Sequence, residues 1–169
     1  MNRFIHIIAA ALLIETGGCG ARKGFVIRDS VWPDKPLAGS LGNEGCLIVY
    51  SGREILDPTK SRHPVHTCYA IFSDDGKVFR RVTNQSGSFF EEPVGVSLPA
   101  GAYKVEARAT NCGEVAIPVV IQAGKLTTLY LDGETEPLNS ATSSNQWVTL
   151  PNGQIVGAKA PGPSQAAPP

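Results

Sequence analysis

Two imidazoles and a thiol fall within the six residues His63-Pro64-Val65-His66-Thr67-Cys68. Zinc and copper favour such nitrogen and sulfur ligands, and on a strand the alternation of side chains would set His66 and Cys68 on one face. A metal-handling role for His63, His66 and Cys68 is therefore one reading. Against it, the spacing is not that of a structural zinc site, and no second ligand pair with matching spacing occurs. Pro64 between the histidines also marks a loop entering a strand. The expectation is an exposed His63, a half-buried His66 and no bound metal or other cofactor.

Catalytic patterns are weaker still. Serines are plentiful, but Gln85-Ser86-Gly87-Ser88 has the wrong glycine placement for a nucleophile elbow and no strand-to-helix context. No phosphate-binding loop or dinucleotide fingerprint occurs. The acidic pairs Asp74-Asp75 and Glu91-Glu92 read as a turn and a solvated strand end. The chain is expected not to be an enzyme. Nucleic acid is not an expected partner either, since a protein that grips phosphates shows a basic patch or a high isoelectric point. Here the net charge is zero and the isoelectric point is near 6.8. The densest basic run, Lys77, Arg80 and Arg81, reads as a solvated strand edge.

The N-terminus supplies an address. Met1-Asn2-Arg3 carries one positive charge, and an apolar run follows from Phe4 to Ile14 with only His6 interrupting. That is the pattern of a signal peptide. A membrane-spanning helix needs roughly 20 apolar residues, and this run breaks earlier, at Glu15. The run ends in Thr16-Gly17-Gly18-Cys19, which resembles the lipobox of bacterial lipoproteins. The resemblance implies that Cys19 takes a diacylglyceryl group, becomes the mature N-terminus and carries fatty acyl chains such as palmitate. Several such chains would hold the protein on a membrane, at about 0.8 kcal/mol per buried CH₂. Gly20, in place of Asp after the cysteine, implies outer-membrane sorting. The expected location is the bacterial cell envelope, and the metal-handling alternative becomes a periplasmic one.

With Cys19 lipidated, Cys46, Cys68 and Cys112 remain in an oxidising compartment where disulfides persist. Three cannot all pair. Cys46 and Cys68 could bridge neighbouring strands and are the favoured pair, while Cys112, in the turn Asn111-Cys112-Gly113, could pair with either. The alternative is three buried thiols acting as small hydrophobes.

Composition divides the chain into a signal peptide (1–18), a lipidated tether rich in Gly, Pro and charge (19–44), a β-rich domain (45–132), a polar linker (133–145), a hairpin (146–157) and a Pro/Ala-rich tail (158–169) expected to be disordered. The tether holds the domain off the membrane in this reading and adds at most one edge strand near Phe25 to Ile27. In the domain, short β-branched and aromatic runs alternate with turn signals such as Asp74-Asp75-Gly76, Pro99-Ala100-Gly101 and Ala123-Gly124-Lys125. Candidate strands are Cys46 to Tyr50, Val65 to Ser73, Lys77 to Thr83, Ser88 to Glu91, Val94 to Leu98, Tyr103 to Ala109, Glu114 to Ile121 and Leu126 to Leu131. Spacings of about 8–12 residues with such punctuation predict an all-β fold, a single antiparallel β-sandwich. Tyr103, Val105, Ala107 and Ala109 share one face while Lys104, Glu106 and Arg108 share the other.

Leu98-Pro99-Ala100-Gly101-Ala102-Tyr103-Lys104-Val105-Glu106-Ala107, then Ala116 to Val120 and Ala123 to Leu131, resemble the closing strands of carboxypeptidase-regulatory-like domains and of related prealbumin-like and PEGA-type modules. The resemblance covers about a fifth of the chain. It implies a β-sandwich and a non-catalytic role in adhesion, assembly or surface display.

Beyond the linker, Pro151-Asn152-Gly153 between Trp147 to Leu150 and Gln154 to Val156 is a hairpin signal. A lone hairpin is marginal in water. It either docks on the domain and covers an edge, or is held out with Trp147 as an aromatic anchor for recognition. The expected function is that of a non-catalytic envelope lipoprotein with a β-sandwich binding or structural module. Its expected partners are the membrane, through the lipid, and another envelope protein or a polysaccharide.

Overall fold

The structure is a computed structural model and describes residues 24–39, 42–55, 63–86, 92–135 and 146–161. Cys19 and its leader, the candidate strand Ser88 to Glu91, and most of the linker and tail lie outside the described residues. The strands are β1 (Phe25–Val26), β2 (Lys35–Pro36), β3 (Glu44–Tyr50), β4 (Arg53–Glu54), β5 (Val65–His66), β6 (Tyr69–Ser73), β7 (Val78–Val82), β8 (Val96–Pro99), β9 (Gly101–Ala109), β10 (Gly113–Ile121), β11 (Lys125–Tyr130), β12 (Trp147–Thr149) and β13 (Ile155–Ala158). No α-helix forms among the described residues, so the fold is all-β.

A five-stranded sheet has the order β1-β10-β9-β6-β7, and a four-stranded sheet the order β2-β11-β3-β8. β12 pairs with β13 and β4 with β5 as separate ribbons. Alternation decides which side of each strand is buried. Leu47 and Val49 on β3, Val105, Ala107 and Ala109 on β9, and Val115, Ile117, Val119 and Ile121 on β10 all point inward. They join Ile71, Leu98, Leu129 and Leu131 in one hydrophobic cluster fed by both sheets. Fully burying a side chain of this size contributes about 1.5–3 kcal/mol. On the outer face of β9, Lys104 pairs with Glu106 at 2.7 Å and lies 4.4 Å from the Phe72 ring centre.

Three sequence expectations are corrected. The sheets are not purely antiparallel, because β1 runs parallel to β10 and β3 parallel to β11. Periodicity reports the face a residue occupies and carries no information on strand direction. The run Val65 to Ser73 is two strands, not one: β5 pairs with β4, whereas β6 lies between β9 and β7. The break falls at Thr67, whose N–H donates to the Gly52 carbonyl at 3.0 Å and whose carbonyl accepts the Ser51 hydroxyl at 2.7 Å. Finally, residues 24–39 do not behave as a tether, because Val31 is wholly buried in the core.

This N-terminal segment binds three sheets in succession. Ile27 N–H donates to the Ala116 carbonyl at 2.9 Å. A parallel ladder would next need an N–H at position 118 directed back to Ile27, and Pro118 has none. The chain leaves the edge there and returns at Val31, whose N–H donates to the Pro118 carbonyl and whose carbonyl accepts the Val120 N–H, both at 2.9 Å. Trp32 N–H then donates to Ala158 on β13, Asp34 N–H to Leu126 at 3.1 Å, and Leu37 N–H to Gly124 at 2.9 Å. The hairpin is docked, not held out: Val148, Leu150 and Val156 are buried in the same core, and the Gln154 amide donates to the Tyr130 carbonyl at 3.2 Å.

Gly157 marks the tightest approach in this junction. A Cβ there would lie 2.5 Å from Val31 Cγ1 and 2.8 Å from the Thr128 carbonyl oxygen. Gly157→Ala is therefore expected to lower stability by about 1–3 kcal/mol, the usual scale for overpacking, in equilibrium denaturant unfolding. Asp34, half-buried beside Thr128, supplies a pH test. Burial is the largest influence and raises its carboxyl pKa, against the lowering effects of Lys35, its own backbone and the Thr128 hydroxyl. A pKa raised on folding contributes stability that is full below the unfolded value and is lost as pH rises through the folded value. Asp34→Asn removes that loss, so unfolding measured at acid and neutral pH should show the variant gaining on the wild type as pH rises.

Candidate binding cleft

The histidine and cysteine side chains nominated by the sequence are dispersed. His66 is fully buried, not half-buried. Its Nδ1 lies 2.7 Å from the Ser51 carbonyl, so that nitrogen carries a proton and donates. The ring stands edge-on to Tyr50, with centroids 5.9 Å apart, and Tyr50 stacks on Tyr130 at 5.7 Å. His63 is exposed, as expected, and Cys68 is exposed beyond the Thr67 break, so His66 and Cys68 do not share a strand face. Among the described residues, no three His, Cys, Asp or Glu side chains are grouped to hold a metal ion. Cys46, Cys68 and Cys112 are free thiols, and the expected bridge between Cys46 and Cys68 is not formed. Cys46 is half-buried on β3, where burial pushes its thiol pKa up. Cys112 packs against the core. Trp147 is half-buried in the docked hairpin, level with Ala158.

A polar corner organises the end of the molecule beyond β3. The Asn84 amide donates to the Val49 carbonyl at 2.7 Å and to the Ser51 hydroxyl at 2.9 Å, while its oxygen accepts the Val94 N–H at 2.9 Å. Asn84 and Ser51 are both wholly buried. These bonds satisfy backbone groups that the ladders leave over where β3 ends and the chain from β7 turns toward β8. Next to Ser51, the Gly52 N–H donates to the Arg108 carbonyl at 2.7 Å. A Cβ on Gly52 would stand 3.2 Å from that carbonyl oxygen and 3.3 Å from the Thr110 nitrogen. Glycine thus lets the chain leaving the four-stranded sheet touch the backbone of β9 in the five-stranded one.

That approach forms one wall of a cleft of about 350 Å³, lined among others by Gly52, Arg53, Arg108, Asn111, Gly113 and Glu114. Its rim is the turn joining β9 to β10, where Asn111 (φ 64°) and Gly113 (φ 77°) occupy the left-handed region. Asparagine and glycine tolerate that conformation best. Arg53, Arg108 and Glu114 are its charged lining residues, and both arginines pair with acids that lie outside the lining. Arg108 lies 3.3 Å from Glu54, and Arg53 lies 2.9 Å from Glu134 and 3.7 Å from Asp132. The Asp132 side chain is fully buried and is held by the Thr135 hydroxyl at 2.7 Å and the Thr135 N–H at 3.0 Å. The exposed pairs contribute only about 0–1 kcal/mol each to stability. Their consequence is that donors and acceptors lie side by side at this end of the molecule. Among the described residues, no histidine or cysteine lines the cleft.

The sequence nominated none of Ser51, Gly52, Asn84, Arg53 or Asp132 as a site residue. The local signals were Asn84, which opens the turn Asn84-Gln85-Ser86-Gly87, and Ser51-Gly52, a small pair closing the apolar run of β3. Asn84 is expected to be the most sensitive polar position at this end. Asn84→Ala leaves the Val49 carbonyl and the Val94 N–H without partners and should cost about 1–3 kcal/mol in denaturant unfolding, whereas a change at exposed Asn111 to Gly should cost far less.

No protein-family model, no curated protein and no solved structure matches the chain.

Proposed function

We propose that this chain is a non-catalytic lipoprotein of the bacterial cell envelope, anchored by acyl chains on Cys19 at the outer membrane. Its two sheets form one β-sandwich that presents a binding surface to another envelope protein or a polysaccharide. The reading of a sandwich is supported by the single cluster of buried side chains drawn from both sheets. The envelope address is supported by Thr16-Gly17-Gly18-Cys19 at the end of an apolar leader.

The observation that carries the binding role is the cleft between Gly52 and the Asn111 turn, whose charged rim sits on short turns braced by a rigid core. Loops positioned on such a scaffold are where binding residues concentrate. A role in metal handling is not carried forward, because the buried His66 and the exposed Cys68 do not converge.

The test is intact mass of the mature protein from a bacterial membrane fraction, followed by crosslinking in envelope extracts from a photoreactive group placed at Asn111. The expected result is a chain that begins at Cys19 with acyl chains added, and a crosslinked envelope protein or glycan that is lost in Arg108→Glu. A mass without acyl chains overturns the address. Acylated protein recovered only as a free monomer overturns the binding role.

A further inference from the structure

The folded body begins very close behind the anchor. This inference rests on acylation of Cys19, after which only residues 20–23 precede Gly24, where the described body starts. Five Cα steps from Cys19 to Gly24 reach at most about 18 Å even when fully extended. Nor can the body unwind to lengthen the connection without losing pairing. Phe25 and Val26 are in register with Val115 and Ala116 of β10, and a Cβ on Gly24 would stand 2.9 Å from the Glu114 carbonyl oxygen.

At this short leash the surface is apolar and flanked by cations. Val26 is 74% exposed and Phe25 47%, and no large hydrophobic side chain among the described residues is more exposed than Val26. Arg28 is exposed two residues on, and the connection itself carries Arg22 and Lys23. Of the acids nearby, Asp29 is paired with Lys159 at 2.9 Å, Glu114 is exposed beside Gly24, and Asp74 lines a groove with Val26 that Lys104 also lines. An apolar pair bracketed by basic residues beside a lipid anchor suits an anionic bilayer surface, which attracts each cation held near it. The other exposed apolar pair, Val78 and Phe79, is on β7 at the opposite edge of the same sheet. That edge is four strand spacings away, about 19 Å.

We propose that the β1 edge, with Phe25, Val26 and Arg28, rests on the anionic surface of the bilayer that holds Cys19. The body thus sits down on the membrane in one orientation and is not held off on a flexible stalk. The cleft shares this end of the molecule, since Gly113 and Glu114 line it and Val115 pairs with Phe25. Its ligand is therefore met close to the membrane.

The test uses the full mature chain in vesicles of phosphatidylethanolamine and phosphatidylglycerol that contain a phospholipid with a photoreactive acyl chain. Intact mass first reports acylation, and peptide mapping after illumination then reports labelled residues. Label concentrated in residues 24–28 is expected. It should fall several-fold in Phe25→Ser with Val26→Ser, and also when a long Gly/Ser insert separates Lys23 from Gly24, a change that leaves every residue of the body intact. Acylated protein labelled at Val78 and Phe79, labelled nowhere in the body, or crosslinked into dimers through β1 overturns the proposal while leaving the lipoprotein reading standing. Protein without acyl chains overturns both.

Discussion

The rest of the structure depends on the burial of Val31 where three sheets meet. Its backbone closes the β10 edge, the next residue bonds β13, Asp34 continues onto β11 and Leu37 onto the turn before it. A two-sheet body has exposed edges that would otherwise present unpaired N–H and C=O groups. Here one segment of irregular chain covers an edge of each sheet and gives the C-terminal hairpin a place to attach. The hairpin could not hold its shape alone. It is stable because Val148, Leu150 and Val156 complete a core that the sheets leave open on that side. Gly157 is the geometric condition for this closure, since nothing larger fits between Val31 and the Thr128 carbonyl.

The opposite demand governs the cleft end. There the ladders stop, and the backbone groups they leave over are taken up by buried polar side chains. Asn84 and Ser51 make bonds whose contribution is modest when formed, while leaving such groups unmade in the interior is expensive. The corner is thus held by specific side-chain bonds although it contains little regular structure, while His66 Nε2 and Thr67 Oγ1 are buried there without a hydrogen-bond partner among the described residues. Buried hydrogen bonds at the base and charged side chains at the rim together shape this end of the molecule. Burial of His66 belongs to this bracing: its Nδ1–H fixes the Ser51 carbonyl, and its ring fills the space beside Tyr50 and Tyr130.

The proposed anchor and the cleft are linked through β10. The same strand pairs with the first residues of the body and leads away from the turn that lines the cleft. Under the proposed membrane contact, the closed β1 edge becomes the seat of the molecule, and the free β7 edge with exposed Arg80 and Arg81 faces away from it.

Much of the body was legible in the sequence because alternation and turn residues are local signals. The strands at Glu44–Tyr50, Gly101–Ala109, Gly113–Ile121 and Lys125–Tyr130 fall within two residues of where β-branched runs and the turns at Gly101, Gly113 and Gly124 place them. Which side of each strand is buried follows from the same period of two. The parallel pairing of β3 with β11, the break at Thr67 and the folding-in of residues 24–39 were decided only by the tertiary structure. Each depends on a partner distant in the chain: Gly52 and Ser51 capture Thr67, and the Pro118 and Ala158 carbonyls capture Val31 and Trp32. The same limit applied to chemistry. His63, His66 and Cys68 looked associated because they are adjacent in sequence, and a single interrupted ladder buried one and exposed another. Local pattern specifies a strand and its inward face, whereas the groups that meet at a site are set by contacts between elements that no local period encodes.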